Sequence, residues 1–269
     1  MNTESRIASV IMAAGRGSRM KAYDGNKTLL PLIPGDSPFE GSQPILRHII
    51  DTLPSAPPAL IVNYKSGDVK AATQGLGLTY CHQPVLNGTG GAVLAAREFI
   101  EHQPCDRLVI TMGDVPFVRP ETYRNLIEKL DRHHLVVLGF EPKDKKQYGI
   151  LEIAGDQVEK ITEWKFWREY PAEKQAVQTV CNSGIYAARR EELLRYLSVL
   201  ESRPQTVLKE RDGKMVEIEE YFITDIAEYM TADGLSVGYA LTADEMETMG
   251  VDDPDALARA QAYYRSEIG

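Results

Sequence analysis

Four short apolar runs stand out in the first half of the chain: Ile7–Met12, Leu60–Asn63, Leu108–Thr111 and Leu135–Phe140. Each is continuous rather than alternating, and each is bounded by turn residues or by a helical pattern. A strand buried on both faces of a parallel sheet reads this way. Between them, Ile45–Leu53, Gly91–Ile100 and Glu121–Arg132 repeat apolar residues every three or four positions, the period of a helix with one buried face. Strands alternating with helices predict an α/β, Rossmann-like fold: a mostly parallel mixed sheet with helices on both faces. Ligands on such sheets sit beyond the carboxyl ends of the strands, so candidate chemistry is sought there.

After about residue 147 the pattern changes. Tyr148–Ile153 and Val158–Thr162 flank Gly155-Asp156 as the arms of a hairpin. Val180–Ala187 reads as a further strand and Arg190–Leu200 as a helix, so this half reads as mixed sheet laid beside the first. No linker rich in Pro, Gly or Ser separates the halves. One domain is expected over 1–269, with lobes at about 1–145 and 146–252 and a terminal helix over 253–269. Ile33–Pro44, rich in Gly, Pro and Ser, reads as a loop, and Val207–Glu219 around Asp212-Gly213 as a hairpin. Asp252, Asp253 and Pro254 are start signals for the last helix, Asp253–Ile268.

Composition changes this picture little: 269 residues, 43 % hydrophobic and 26 % charged, are ordinary for a globular chain. The net charge of −9 excludes a broad basic face for nucleic acid, though not a local basic pocket. The three cysteines, Cys81, Cys105 and Cys181, are far apart and lack any C-x-x-C spacing, which speaks for a reducing compartment. The apolar run Ile7–Ala14 is short and Glu4 precedes it, unlike a signal peptide. No run approaches the ~20 apolar residues of a membrane span, so a cytoplasmic location without membrane partners is expected.

Two motifs carry chemistry. Ala13-Ala14-Gly15-Arg16-Gly17-Ser18-Arg19-Met20 comes directly after the first strand, with Lys27 downstream. A glycine-bearing loop there can bring backbone N–H groups to phosphate oxygens, and Arg19 and Lys27 add positive charge. The G-x-x-x-x-G-K-[ST] spacing is absent, and Met20 stands where a G-x-G-x-x-G fingerprint needs glycine. Met112-Gly113-Asp114-Val115-Pro116 ends the third run. A carboxylate at that edge can hold Mg²⁺ on a bound triphosphate; its plainer reading is a helix cap.

These motifs, in order with Gln83, Gly88-Thr89-Gly90, Tyr148-Gly149, Glu163-Trp164-Lys165, Asn182-Ser183-Gly184, Glu220-Tyr221-Phe222-Ile223-Thr224-Asp225 and Gly250-Val251-Asp252, resemble the sugar-phosphate nucleotidyltransferases. The likeness covers nearly the whole chain. It is strongest to the pyrophosphorylase (uridylyltransferase) domain of the bacterial bifunctional enzyme that makes UDP-N-acetylglucosamine. The resemblance implies a nucleotide-diphospho-sugar transferase fold. It implies that Ala14, Gly15, Gly17, Gln83, Gly88 and Thr89 meet the nucleotide, and that Arg19 and Lys27 grip phosphates. Asp114 and Asp252 would bind Mg²⁺, and Gly149, Glu163, Asn182 and Thr224 would contact the sugar phosphate.

The residue types suit that chemistry. A sugar phosphate attacking an α-phosphorus is already anionic and needs no base; positioned cations and a metal offset the charge that builds up. His133-His134 read as a helix end, and His82 is the one histidine to watch. Trp167 reads as core, while Trp164 could be core or a stacking surface. Three departures from the pattern are visible. Asp252 stands where the family has asparagine, Leu86 stands where its nearest relatives carry a second glutamine, and no hexapeptide repeat builds an acetyltransferase β-helix. Acetylation by that route, and the trimer it supports, are therefore not expected. UTP is the expected nucleotide. Cytidylyl or guanylyl transfer to another phosphorylated substrate, or a non-catalytic sugar-nucleotide-binding regulator, are the alternatives. Substituting Arg19 or Lys27 in this polar loop is expected to cost little stability.

Overall fold

The computed structural model describes residues 7–17, 19–20, 23–54, 57–145, 147–211 and 214–269. In chain order its first seven strands are β1 (Ile7–Met12), β2 (Pro31–Pro34), β3 (Gly41–Pro44), β4 (Ala59–Val62), β5 (Thr79–His82), β6 (Arg107–Met112) and β7 (Leu135–Phe140). The rest are β8 (Ile150–Ala154), β9 (Gln157–Thr162), β10 (Cys181–Arg189), β11 (Gln205–Arg211), β12 (Lys214–Glu220) and β13 (Val237–Thr242). The continuous apolar runs are its central strands, and β4 and β7 are buried at every position, as strands covered on both faces must be.

Nine of these strands form one sheet in the order β5-β4-β1-β6-β10-β7-β13-β9-β8, and β2–β3 and β11–β12 pair as separate two-stranded ribbons. β5, β4, β1 and β6 are mutually parallel, and β13 is parallel to β7. β10 enters antiparallel between β6 and β7, and its register shifts between Asn182 and Tyr186. Because successive strand residues face opposite ways, Val10 and Ile11 belong to different cores. On one face, helices α3 (Gly88–Ala95), α4 (Arg97–His102), α8 (Arg190–Glu201) and α9 (Asp225–Ala232) contribute Val93, Ile100, Tyr196, Leu197 and Met230. On the other lie α1 (Ile45–Thr52), α2 (Ser66–Ala72), α5 (Pro120–Lys129) and α10 (Pro254–Glu267), through Ile49, Val69, Leu126 and Leu257. The short helices α6 (Trp164–Trp167) and α7 (Ala172–Val177) precede β10. Helices on both faces of a mostly parallel mixed sheet are what the pattern predicts.

Four particulars differ from the sequence reading. The stretch 33–44 is not simply a loop: Ile33 pairs with Ser42 in the antiparallel β2–β3 ribbon. Gly91–Ile100 is divided, because Ala96 leaves the helix at φ −94°, ψ 2° between α3 and α4. The second half is not a sheet beside the first but the continuation of the same one. Strands β5 and β13 and helices α2 and α9 escaped the pattern altogether. The arms of the expected hairpin are β11 and β12, paired in register from Gln205↔Glu220 to Arg211↔Lys214; its turn, Asp212-Gly213, lies outside the described residues. Among those described, no helix is long and apolar enough to cross a membrane.

Candidate active site

The site starts at the carboxyl end of β1. Ala13 N–H donates to the Ile61 carbonyl at 3.0 Å, holding the loop against the neighbouring strand. Asn26, buried and unremarked by any motif, fixes the turn that carries Lys27. Its amide nitrogen donates to the Tyr64 carbonyl at 2.9 Å, and its carbonyl accepts from Thr28 N at 3.0 Å and Thr28 Oγ1 at 2.8 Å. These bonds cap the short turn Lys27–Leu29 and aim Lys27 back across the sheet edge. Gly17 lies against the lysine stem, so close that a Cβ there would stand 3.1 Å from Lys27 Cδ.

Lys27 Nζ donates to Asp114 Oδ2 and, at 2.6 Å, to Asp252 Oδ1. Arg19 reaches the other oxygen of Asp252 at 2.8 Å. The two aspartates meet because Val251 N–H donates to the Asp114 carbonyl at 2.8 Å, which ties the Gly250-Val251-Asp252 segment to the end of β6. Neither carboxylate has the capping role that was its plainer reading. α5 begins six residues after Asp114, behind Arg119, and α10 is capped by Asp253, whose Oδ1 accepts from Ala256 N at 2.8 Å. Lys27 itself is no surface lysine. Its side chain is only 14 % exposed, against 67 % for Arg19.

Burial pushes the Asp114 carboxyl up from its ordinary range, with Lys27 acting against it. Asp252 feels burial too, but Lys27 and Arg19 outweigh it and hold its carboxyl low. Lys27 pays a desolvation penalty that its two carboxylates more than reverse, so its ammonium is held firmly charged. Among the described residues no group of three or more His, Cys, Asp or Glu could hold a metal. Any ion here would therefore have two hard oxygen ligands from the protein, Asp114 and Asp252, and draw the rest from water or phosphate. That donor set fits Mg²⁺ and not a nitrogen- or sulfur-bound zinc.

Beside this charge cluster opens a cleft of about 270 Å³ whose walls include Gly15, Lys27, Gln83, Leu86, Gly88 and Asp114. Ala14 and Thr89 also line it, whereas Gly17 does not and instead lies against the Lys27 stem. A Cβ on Gly15 would meet nothing within 4 Å. Gly88 is the opposite case. Its φ is +93°, and a Cβ would lie 2.3 Å from the Tyr221 carbonyl oxygen. Gln83 is buried, and its amide nitrogen donates to the Asn87 side chain at 3.1 Å and the Gly88 carbonyl at 3.2 Å. It thus shapes the loop that walls the cleft. Thr89 Oγ1 accepts from Ile223 N at 3.3 Å, joining the same loop to the Glu220–Asp225 segment. His82 is exposed and takes no part in the walls.

The four residues assigned to the sugar fall into two linked pairs. Asn182 N–H donates to the Gly149 carbonyl at 2.8 Å, and Thr224 Oγ1 donates to Glu163 Oε1 at 3.1 Å. Asn182 also accepts from Gly184 N at 3.0 Å and donates to Tyr186 Oη at 2.9 Å. Burial raises the Glu163 carboxyl, with Thr224 acting against it. Trp167 is core, its Nε1 donating to the Tyr148 carbonyl at 2.8 Å. Trp164 instead walls a second cleft, of about 740 Å³, together with Arg19, Tyr148, Asp252 and Arg259. Cys181 is buried, and burial pushes its thiol up to about 11. Sequence reasoning missed Asn26 and Arg259. A polar cap residue directly before Lys27 was a usable signal for the first, and no motif marked the second.

The model of the MobA-like NTP transferase domain matches residues 9–210. The bifunctional protein GlmU of Ruegeria sp. is 33 % identical over 264 residues, 96 % of this chain and 53 % of that protein. GlmU of Cereibacter sphaeroides is 32 % identical over 96 % of this chain and 52 % of its own length. The chain thus spans about half the length of these relatives. Among solved structures, the uridine diphosphate N-acetylglucosamine pyrophosphorylase of Trypanosoma brucei superposes with a TM-score of 0.70 at 13 % identity, covering 96 % of this chain and 65 % of that one. A putative glucose-1-phosphate thymidylyltransferase of Bacillus anthracis gives 0.69 at 20 %, covering 97 % and 96 %. At such identities the structures attest the fold alone, a nucleotide-diphospho-sugar transferase type of Rossmann-like sheet, while the matched domain decides the family: the chain belongs to the MobA-like NTP transferases.

Proposed function

We propose that this protein transfers a nucleotidyl group, uridylyl from UTP, to a sugar 1-phosphate such as N-acetylglucosamine 1-phosphate, with release of pyrophosphate. The observation that carries the reading is the buried contact of Lys27 with both Asp114 and Asp252 at the mouth of a cleft bounded by Gly15 and Gln83. Taking Lys27 and Asp114 out of water, with Asp252 half-buried beside them, is costly, and titratable groups perturbed in this way cluster at functional sites. A module that only binds a sugar nucleotide has little use for such a cluster.

In this reading the base lies between the Gln83–Gly88 loop and Ala14-Gly15, and the triphosphate runs along the loop toward Arg19. The acceptor is held by Gly149, Glu163, Asn182 and Thr224. A phosphate oxygen of the acceptor bonds to the α-phosphorus as the bond from that phosphorus to the β-bridging oxygen breaks. The electron pair stays on pyrophosphate and no proton needs to move. Lys27 and Arg19 offset the charge on the phosphate oxygens, and their value lies in being fixed beforehand. Mg²⁺ held by Asp114 and Asp252 supplies Lewis-acid charge neutralisation when bound.

The test is pyrophosphate release from UTP, CTP, dTTP, GTP and ATP against a panel of sugar 1-phosphates, with and without Mg²⁺. Fastest release with UTP and N-acetylglucosamine 1-phosphate is expected. Faster turnover with another nucleotide would point to Leu86, which faces the cleft, as the seat of a different base preference. No release with any pair would overturn the catalytic reading.

A further inference from the structure

We propose that Arg259, on the terminal helix, binds the leaving pyrophosphate in the second cleft. The inference rests on the nucleotidyl-transfer reading above and extends it to a residue outside every motif that led there.

The second cleft adjoins the first at the charge cluster. Asp114 and Lys27 face the nucleotide cleft, Asp252 and Arg19 face the other, and Lys27 is bonded to both aspartates. The glycine loop runs the same way, since Gly15 walls one cleft and Arg19 the other. A triphosphate whose nucleoside fills the first cleft, and whose α-phosphate lies at Lys27, therefore has its β- and γ-phosphates led by this loop into the second. In-line displacement sends the leaving group away from the attacking oxygen. None of the four residues assigned to the acceptor lines either cleft, whereas Arg19 of the phosphate loop lines the second, and on that ground it is given to the leaving group.

The charges there are unevenly satisfied. Asp252 is bonded to Lys27 and Arg19, and Asp253 is engaged as the cap of α10. Arg259 takes part in none of the ion pairs among the described residues, and it lines the cleft together with Tyr148. Among the described residues it is thus the cation of this cleft without a carboxylate of its own, and a guanidinium can bind phosphate oxygens by two parallel hydrogen bonds. It is also well mounted. Ala256 and Arg259, three residues apart on one helix face, both line the cleft. The helix beneath is anchored by buried Leu257 and Ala260, and by Gln261 donating to the Pro31 and Pro38 carbonyls at 2.9 and 2.7 Å. Arg259 is exposed, so its substitution leaves the fold intact.

The test is calorimetric titration of the whole protein, in Mg²⁺, with inorganic pyrophosphate and separately with N-acetylglucosamine 1-phosphate. Parent, Arg259→Gln and Arg259→Lys are compared. Arg259→Gln is expected to weaken pyrophosphate binding roughly tenfold, the loss of one charge-assisted interaction, and to leave the sugar phosphate unchanged. Arg259→Lys should recover part of the loss. Equal pyrophosphate affinity in all three proteins would overturn the inference. So would a loss confined to the sugar phosphate, which would move Arg259 to the acceptor side. Binding needs no turnover, so a protein inert in the nucleotide panel but showing this pattern would sink the catalytic reading and spare the pyrophosphate site.

Discussion

Lys27→Met keeps most of the lysine stem against Gly17 and removes the ammonium that lies between Asp114 and Asp252. The two carboxylates are then left facing one another, with side chains 8 % and 30 % exposed. Removing one partner of a buried ion pair costs about 3–5 kcal/mol. Arg19 still holds one oxygen of Asp252, which favours the lower figure, about 3 kcal/mol. At roughly 2–4 °C per kcal/mol for a chain of this size, the melting temperature should fall by about 6–12 °C in metal-free buffer near pH 8. Two dependences identify the cause. Mg²⁺ at a hundredfold excess over its dissociation constant should return about 2.7 kcal/mol by mass action, because it replaces the missing cation. Acid should also help. Burial already holds the Asp114 carboxyl above its ordinary range. The folded state therefore takes up that proton more readily than the unfolded state, and stability rises as pH falls toward the unfolded value. The deficit should therefore shrink as pH falls toward the ordinary aspartate range. A variant that melts with the parent in metal-free buffer at pH 8, by differential scanning calorimetry, would refute the reasoning. Because the loop folds Lys27 inward, it is not the exposed polar-loop residue of the sequence reading, and a stability cost is expected for it; for Arg19→Ala, largely exposed, the expectation remains a change within about 0.5 kcal/mol.

Asp252→Ala should lose most turnover and its Mg²⁺ dependence yet keep α10, because Asp253 is the cap; Asp253→Ala should cost about 1 kcal/mol and little activity, and the reverse pattern in paired melting and rate assays would refute the assignment. Gly88→Ala should unfold readily or lose nucleotide binding because its Cβ meets the Tyr221 carbonyl, whereas Gly15→Ala should melt like the parent and bind UTP more weakly; equal behaviour of the two would count against the cleft. Burial tends to raise Glu152, but hydrogen bonds from Thr162, Tyr170 and Lys174 win and take its carboxyl down to about 2. Its stabilisation is thus present above the ordinary value of 4.5 and lost as pH falls through about 2. In Glu152→Gln, acid titration followed by circular dichroism should show a shallower loss over that window.

What the sequence reveals depends on how local the cause is. β1, β4, β6 and β7 are legible because a strand covered on both faces must be apolar throughout. β5, Thr79–His82, is an edge strand with exposed Thr79 and His82, and β13 carries Gly238 where His133 packs close, so neither shows an apolar run. The β2–β3 ribbon is masked by Pro31, Pro34, Gly41 and Pro44, residues that signal turns yet are tolerated on a two-stranded edge. At the site, the family pattern named Lys27, Asp114 and Asp252, but not that the lysine bonds both aspartates. That contact spans 87 and 225 residues of chain and is created where the turn Lys27–Leu29, the segment after β6 and the Val251 segment meet. Arg259 is legible only once α10 is seen beside the second cleft.

The antiparallel strand β10 has a consequence for how the chain comes to be folded at all. It is the strand that lies between β6 and β7, yet it ends at Arg189, nearly fifty residues after β7 has been made. Until it arrives, β6 has one edge open, and β7, whose other neighbour β13 is later still in the chain, has both, edges of the kind that pair with other chains. A nascent chain emerging at about 5–20 residues per second must leave those edges unpaired for seconds. The vulnerable species is therefore a defined one, residues up to about 180, with an open β6 edge that a β10 peptide supplied in trans should pair with.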